Sequence, residues 1–354
     1  MFLEENKPLA PLTTLGIGGT ARWFTQAATE EDVADASALA CERGSSLFVL
    51  GGGSNLLVAD KGFEGLVLHV ALRGIRASRD ATSALYQVGA GEVWDGFVQR
   101  SLEDHCAGIE CLAGIPGTVG GTPVQNVGAY GQEVATCVER VRAFDLTSHA
   151  FVEFSADECG FAYRRSRFNT TDRGRYVVTR VDYRLTPGGA PSLRYAELQR
   201  SFPEEKTPSL VEVAEVVRHI RRSKGMLLVE GDPDCRSAGS FFKNPVVNQE
   251  RVADVRAVSG KAPPCFPAGQ GMDETNQVKL SAAWLIEQTG YSKGFTRGAA
   301  GISSRHTLAL INRGGATAAE ILALADEIQA AVEAKFGIRL EMEPELLGFE
   351  NAAG

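Results

Sequence analysis

CxxC pairs are missing from this chain of 354 residues. Its seven cysteines are scattered singly, the nearest two being Cys106 and Cys111. An odd count without CxxC spacing points to reduced thiols in a cytoplasmic protein, and no metal is expected. No apolar run reaches the ~18 residues needed to span a bilayer. The opening MFLEENKPLAPLTT has no basic stretch followed by an apolar one, so it does not read as a secretory signal. Positive charge is in short supply. The formal net charge of −8 argues against a broad nucleic-acid footprint, while leaving room for local basic pockets. Two nucleotide signatures are absent as well. GxxxxGK followed by Ser or Thr does not occur, and the turn after Leu50 lacks both GxGxxG and an acidic residue ~20 positions later. Neither a P-loop nor a Rossmann site is supported, and there is no internal repeat or low-complexity tract.

Glycine, by contrast, is concentrated in two places. Gly114–Gly131, GIPGTVGGTPVQNVGAYG, holds six glycines in eighteen residues. Pro116, Pro123, Gln125, Asn126 and Tyr130 distinguish it from a flexible linker. Glycine is needed where φ is positive or where a ligand must approach the backbone. A run of such sites between amide side chains suits exposed N–H groups wrapped around an anion. A second glycine turn, Leu50–Leu57 (LGGGSNLL), lies upstream. By itself it is equally well a tight β turn. Two such loops together suggest a large ligand containing a pyrophosphate.

Periodicity frames these loops. Thr29 to Asp32 reads as a capping box opening a helix that Gly44 closes. Strands are expected at Ser46–Leu50, Leu66–Val70, Leu85–Gly89, Val138–Phe144, Phe151–Phe154 and Tyr176–Leu185, the last alternating as a half-exposed strand. A helix is expected over Val93–Cys106, a linker over Thr186–Pro191, and helices over Ser209–Ser223, Gln249–Val258 and Val278–Thr289. Thr317 and Glu320 form a capping box for the clearest helix, ended by Gly337. Ile338–Met342 reads as a final strand, with Glu345 just past it. The class is α+β.

Four separated segments resemble the UDP-N-acetylenolpyruvoylglucosamine reductase family, flavoenzymes of peptidoglycan precursor synthesis. They are Leu50–Leu57, Ile115–Glu133, Phe161–Phe168 (FAYRRSRF) and Ala238–Pro245 (AGSFFKNP), with Glu343-Pro344-Glu345-Leu346 a shorter fifth. The resemblance implies an FAD-binding domain of the vanillyl-alcohol-oxidase (PCMH) type in two α/β subdomains, residues 1–70 and 71–209. A separate α/β substrate-binding domain would follow over 210–337, and segment 338–354 would return to the FAD-binding part. It also implies non-covalent FAD, NADPH as co-substrate, and UDP-N-acetylglucosamine enolpyruvate as the substrate reduced to UDP-N-acetylmuramate. No nucleic-acid or membrane partner is expected, and the chain is taken as a monomer.

Residue by residue, the resemblance places Arg164, Ser240 and Glu345 in catalysis. A guanidinium fork suits a carboxylate that gathers negative charge. A polarised Ser240 hydroxyl would protonate the adjacent carbon, and Glu345 would help as a neutral or water-relayed acid. The cofactor would lie along Leu50, Gly51, Gly52, Gly53, Ser54, Asn55 and Leu56 in the first loop. In the second it would meet Ile115, Pro116, Gly117, Gly120, Gly121, Gln125, Asn126, Gly128, Ala129, Tyr130 and Gly131. Tyr163, Tyr195, Lys224, Asn244, Phe266, Lys279 and His306 would meet the substrate. Tyr195 and the Pro123–Asn126 run favour the branch of the family in which a tyrosine loop closes over the nucleotide. Three departures stand out. Phe266-Pro267 replaces a Tyr-Pro pair, His306 stands where relatives carry an amide, and Gly225–Ser237 is longer than in some relatives. The rivals are an oxidase on the same flavin fold and a binding module without turnover. Many such oxidases tether FAD through a histidine that Gly51–Leu57 lacks, and a binding module has no need for Arg164, Ser240 and Glu345 together.

Overall fold

The computed structural model describes residues 1–203, 207–268 and 276–349, so the last five residues of the 338–354 segment lie outside it. The chain divides into two compact units. One comprises 1–7, 22–52 and 64–223, the other 8–21, 53–63 and 224–354.

The first unit is built on two sheets. One orders Leu3–Pro8, Thr20–Ala27, Phe63–Val70 and Leu47–Leu50, the last two parallel. The helix Glu30–Glu42 connects Thr20–Ala27 to Leu47–Leu50 and starts at the expected box, with Thr29 and Asp32 capping one another reciprocally. The larger sheet orders Ala150–Ser155, Val138–Asp145, Tyr176–Pro187, Ala84–Gly89 and Ile75–Arg79, all antiparallel. Tyr176–Pro187 is not half exposed, as its alternation suggested. It is a central strand, and even its polar Thr179 and Asp182 are buried. Those two are satisfied there: Thr179 donates to Glu30 at 2.7 Å, and Asp182 accepts from Arg180 at 2.7 Å. Nor is Thr186–Pro191 a bare linker, since Thr186 and Pro187 pair with Ala107 and Cys106. The helix that precedes that pair, Trp94–Glu103, ends before Cys106, which is in a strand. Trp94, Phe97, Val98 and Leu102 join the core of this unit, and so do Val213, Ala214, Val217 and Ile220 of helix Leu210–Ser223.

In the second unit the helix Ala318–Phe336 is central. Its Ile321, Leu324, Ile328 and Val332 form the expected stripe, packed in one core with Leu15, Leu57, Leu285, Ile302 and Leu310. Its first turn is capped twice, by the Thr317–Glu320 box and by Asp60, which accepts from the Ala318 and Ala319 amides at 2.8 and 3.1 Å. Acceptors there also complement the helix dipole. Two three-stranded antiparallel sheets complete the unit, Val246–Asn248/Gln277–Leu280/Cys265–Pro267 and Thr296–Arg297/Ala300–Ile302/Leu310–Asn312.

Two expectations fail here. Val278 begins no helix: Gln277–Leu280 is a strand, and Ser281 caps the short helix Ala282–Glu287. Ile338–Met342 is not a strand. The C-terminal strand is Glu345–Leu347, parallel to Leu56–Val58. Both errors have one cause, partners remote in sequence that a local pattern cannot register.

Candidate active site

The residues singled out above fall into two groups, one in each unit. In the first unit the glycine-rich segment is ordered by its own backbone. Val119–Gly121 is a short 3-10 turn, and Gly128–Ala129 pairs with Gln132–Glu133 in a hairpin. Gly114, Gly117 and Gly131 have positive φ, and so do the non-glycine Asn126 and Tyr130, at 46° and 48°. A methyl placed on Gly52 would stand 2.6 Å from the Gly117 Cα, and one on Gly51 would stand 2.9 Å from the Thr118 hydroxyl. Gly51–Gly52 and Gly117–Thr118 therefore touch with no room for side chains, a cradle of the kind a pyrophosphate needs.

Arg164 hangs from this segment. It occupies the turn closed by the Ala162–Arg165 bridge, with its own backbone left-handed at φ 56°. That conformation costs a residue with a Cβ roughly 1 kcal/mol or more, and it persists only where surroundings enforce it. Three bonds do so. Arg164 Nη2 donates to the Gly128 carbonyl at 2.9 Å, Ser166 Oγ to Val124 at 2.6 Å, and Asn126 Nδ2 to Ala162 at 3.1 Å. Its neighbours differ. Arg165 is exposed, whereas Arg167 is spent on Asp172 at 2.8 Å and on the Phe154 ring at 4.1 Å. Tyr163 lies under the Arg164 guanidinium, 5.5 Å from ring centre to cation.

Asn126 is 1% exposed, and its amide is committed to the protein: Nδ2 also donates to Glu133 at 2.9 Å, and Oδ1 accepts from the Ala135 amide at 3.1 Å. Tyr130 meets Tyr195 edge to face at 5.4 Å, and a methyl on Gly131 would stand 3.0 Å from the Arg194 Cβ. Burial pushes the Tyr130 hydroxyl up to about 12, against the pull of the Arg221 cation. Arg221 went unnoticed in the sequence. It is buried, donates from Nε to the Gly114 carbonyl at 3.1 Å, and is held below the ordinary guanidinium range by that burial. Asp95 tightens the same corner, accepting from the Gly114 amide at 2.6 Å and from Arg218 at 2.8 Å. The signal was available: Val213, Val217 and Arg221 are spaced by one helical turn, which puts an arginine in an apolar stripe.

In the second unit, Ser240 follows Gly239, whose φ is 76°, and precedes the buried Phe241 and Phe242. The Phe241 amide donates to Leu308 at 2.7 Å, and its carbonyl accepts from the Glu343 amide at 3.0 Å. Two residues on, the Glu345 amide donates to Asn55 at 2.9 Å, while Asn55 Nδ2 reaches the Glu343 carbonyl at 3.1 Å. The backbone thus brings the Ser240 segment, Glu345 and the Ser54–Leu56 end of the first loop together. Asn244, Phe266 and Lys279 are also assembled. Lys279 lies opposite both Val246 and Phe266 in the sheet, and Asn244 Oδ1 accepts from Ala282 at 2.9 Å. His306 accepts the Leu308 amide on Nδ1 at 3.0 Å. Among the described residues no group of three His, Cys, Asp or Glu is placed to hold a metal, and no helix is long and apolar enough to cross a membrane.

Comparison with known proteins gives two family matches. Residues 21–150 match the family of FAD binding domains, and residues 232–347 match the C-terminal domain of UDP-N-acetylenolpyruvoylglucosamine reductase. The class is an FAD-binding oxidoreductase with a second, specialised unit. The reductase of Streptomyces coelicolor is 46% identical over 97% of this chain and 90% of its own length. That of Thermobifida fusca is also 46% identical, over 97% and 98%. The crystal structure of the Thermus caldophilus enzyme superposes with a TM-score of 0.66 at 28% identity, covering 98% of this chain and 100% of that one. The chain belongs to the UDP-N-acetylenolpyruvoylglucosamine reductase family, as its segments suggested.

Proposed function

We propose that this chain reduces the enolpyruvyl group of UDP-N-acetylglucosamine enolpyruvate to the lactyl ether of UDP-N-acetylmuramate, a step of peptidoglycan precursor synthesis. Bound FAD supplies the hydride, taken from NADPH. Support for FAD comes from the backbone contact of Gly52 with Gly117, which no larger residue allows. The two glycine loops, Leu50–Leu56 and Ile115–Gly131, would hold its pyrophosphate. Residues 1–70 and 71–209, with the returning segment 338–354, would hold the cofactor; 210–337 would bind the sugar nucleotide.

When hydride reaches the methylene carbon, negative charge spreads over the neighbouring carbon and its carboxylate. Arg164 meets that carboxylate with planar, permanently charged donors. Ser240 delivers the proton to the carbon. Glu345, as a neutral acid or through water, supports the same charge. Lys224 and Lys279 act as point charges on the diphosphate, with Asn244, Phe266, His306 and Tyr163 around the nucleotide. Tyr195 closes over it. The enzyme works as a cytoplasmic monomer.

The observation that carries this reading is Arg164 itself, forced left-handed and tied to Gly128 while its two neighbouring arginines are exposed or otherwise engaged. Anaerobic stopped-flow tests it. Ser240→Ala should leave flavin reduction by NADPH intact and slow reoxidation by the enolpyruvyl sugar nucleotide on the order of 10² or more. Equal loss in both halves removes Ser240 as the acid, and protein that takes up no FAD ends the proposal.

A further inference from the structure

The loop between Lys224 and Ser240 is held in an unusual way. Of its apolar side chains Met226, Leu227, Leu228 and Val229, none is buried, and Leu228 is 52% exposed. A cavity of about 390 Å³ lies between this loop and Thr14. What is buried instead is polar or small: Asp234, at 6% exposure, with Gly225, Cys235, Ser237 and, at the Ser240 end, Ala238. Apolar burial therefore contributes little to its order, and a local polar network must supply it.

Arg305 is the centre of that network. Its Nε donates to Asp234 at 2.8 Å and its Nη2 to Asp232 in a short contact. Ser304 adds two bonds to Asp234, from its amide at 3.1 Å and its hydroxyl at 2.7 Å. Burial by itself would raise the Asp234 carboxyl; the bonds from Ser304 and Arg305 outweigh it and hold the group below the usual range. Asp232 also caps the turn Pro233–Cys235, accepting the Asp234 amide at 3.0 Å. The clasp touches the Lys224 end of the loop directly, and backbone pairing holds the Ser240 end. A methyl on Gly225, the residue after Lys224, would stand 3.0 Å from the Asp234 Cβ and 3.2 Å from the Arg305 guanidinium. At the other end, Arg236 and Ser237 pair with Asn312 and Ile311, and Ser237 Oγ accepts the Gly239 amide at 3.3 Å.

We propose that Arg305 is a positioning residue for the reaction: by clasping Asp232 and Asp234 it sets where Lys224 and Ser240 stand at the two ends of this loop. The inference rests on the roles given to Lys224 and Ser240 above. A buried carboxylate stripped of its cation is costly, so removing Arg305 releases the loop rather than merely loosening it. Displacement on the scale of 1 Å at a reacting group is enough to cost about 10²-fold in rate.

The test uses full-length FAD-loaded protein and measures the two half-reactions separately. Arg305→Met should leave flavin reduction by NADPH within about twofold, slow reoxidation by the sugar nucleotide about tenfold or more, and raise its KM. Arg305→Lys, which keeps the charge but loses the fork, should fall between. Ser304→Ala, which weakens the grip on Asp234 while leaving Arg305 and His306 in place, should show the same bias toward reoxidation to a smaller degree. Adding Asp234→Asn to Arg305→Met should recover part of the rate, because no unpaired carboxylate is left buried. Equal losses in both half-reactions, or losses that follow thermal stability alone, overturn the positioning role. Wild-type protein whose reduced flavin is not reoxidised by this substrate overturns the function reading first, and the inference falls with it.

Discussion

Asn126 offers a sharp test of how the glycine-rich segment carries Arg164. Its side chain makes three bonds, to Glu133, Ala162 and Ala135, and only 1% of the residue is exposed. Asn126→Ala leaves the half-buried Ala135 amide without its acceptor, at about 1–3 kcal/mol, while the Ala162 carbonyl keeps the Arg165 amide. It also sets alanine at φ 46°, where asparagine is tolerated, adding roughly 1 kcal/mol. The total, about 2–4 kcal/mol, is a large share of the ~5–15 kcal/mol that holds a domain folded. Asn126→Asp is nearly isosteric yet should be no better at neutral pH. It replaces a donor with a carboxylate facing Glu133, and like charges at that distance raise the pKa of the introduced acid. A raised acid pKa destabilises above that pKa and does so less as pH falls. Urea denaturation at pH 7.5 and pH 5 should therefore find Asn126→Asp recovering at the lower pH while Asn126→Ala does not. The affinity of reduced enzyme for substrate should fall in both, since the Arg164 turn loses its tie to this residue. Neutral behaviour of Asn126→Asp at pH 7.5 would refute the reasoning, because the Glu133 contact could not then be in force.

Two further outcomes separate function from framework. Arg164→Ala should lower kcat/KM on the order of 10²-fold or more, while Arg165→Ala, one residue away and exposed, should stay within about twofold; equal losses would reduce the motif to generic positive charge. Asp145 is buried, and its bonds to Arg175 and the Thr147 amide hold its carboxyl well below the usual range. A depressed acid pKa stabilises the fold above the unfolded value of ~3.9, and that stability is lost as pH falls. The Tm gap between wild type and Asp145→Asn should be constant from pH 7 to 5 and narrow below about pH 4; a gap that widens in acid would contradict it.

Much of the framework was legible because its causes are local. The boxes at Thr29 and Thr317 join residues three apart, and both helices start where those boxes stand. The same holds for the segments that carry the chemistry. Glycine turns, the Tyr163–Ser166 run and AGSFFKNP are short and contiguous, and they sufficed to indicate the family. Local patterns failed where a partner was far away. Lys279 is on a strand because 246–248 and 265–267 flank it, although its own neighbourhood reads as helix. Glu345 starts a strand rather than following one because Leu56 is its partner.

The role of each arginine also needed the third dimension. Arg164, Arg165 and Arg167 are alike in the sequence, and only packing sends one to Gly128, one to solvent and one to Asp172. Asn55 and Glu343, 288 residues apart, share a hydrogen bond that no spacing rule predicts. The chain's order of residues determined which chemical groups were available and which turns they occupy, since backbone preference and capping act over a few residues. Which of those groups is buried, paired or left for a ligand was decided by tertiary structure alone, because desolvation and ion pairing depend on neighbours through space.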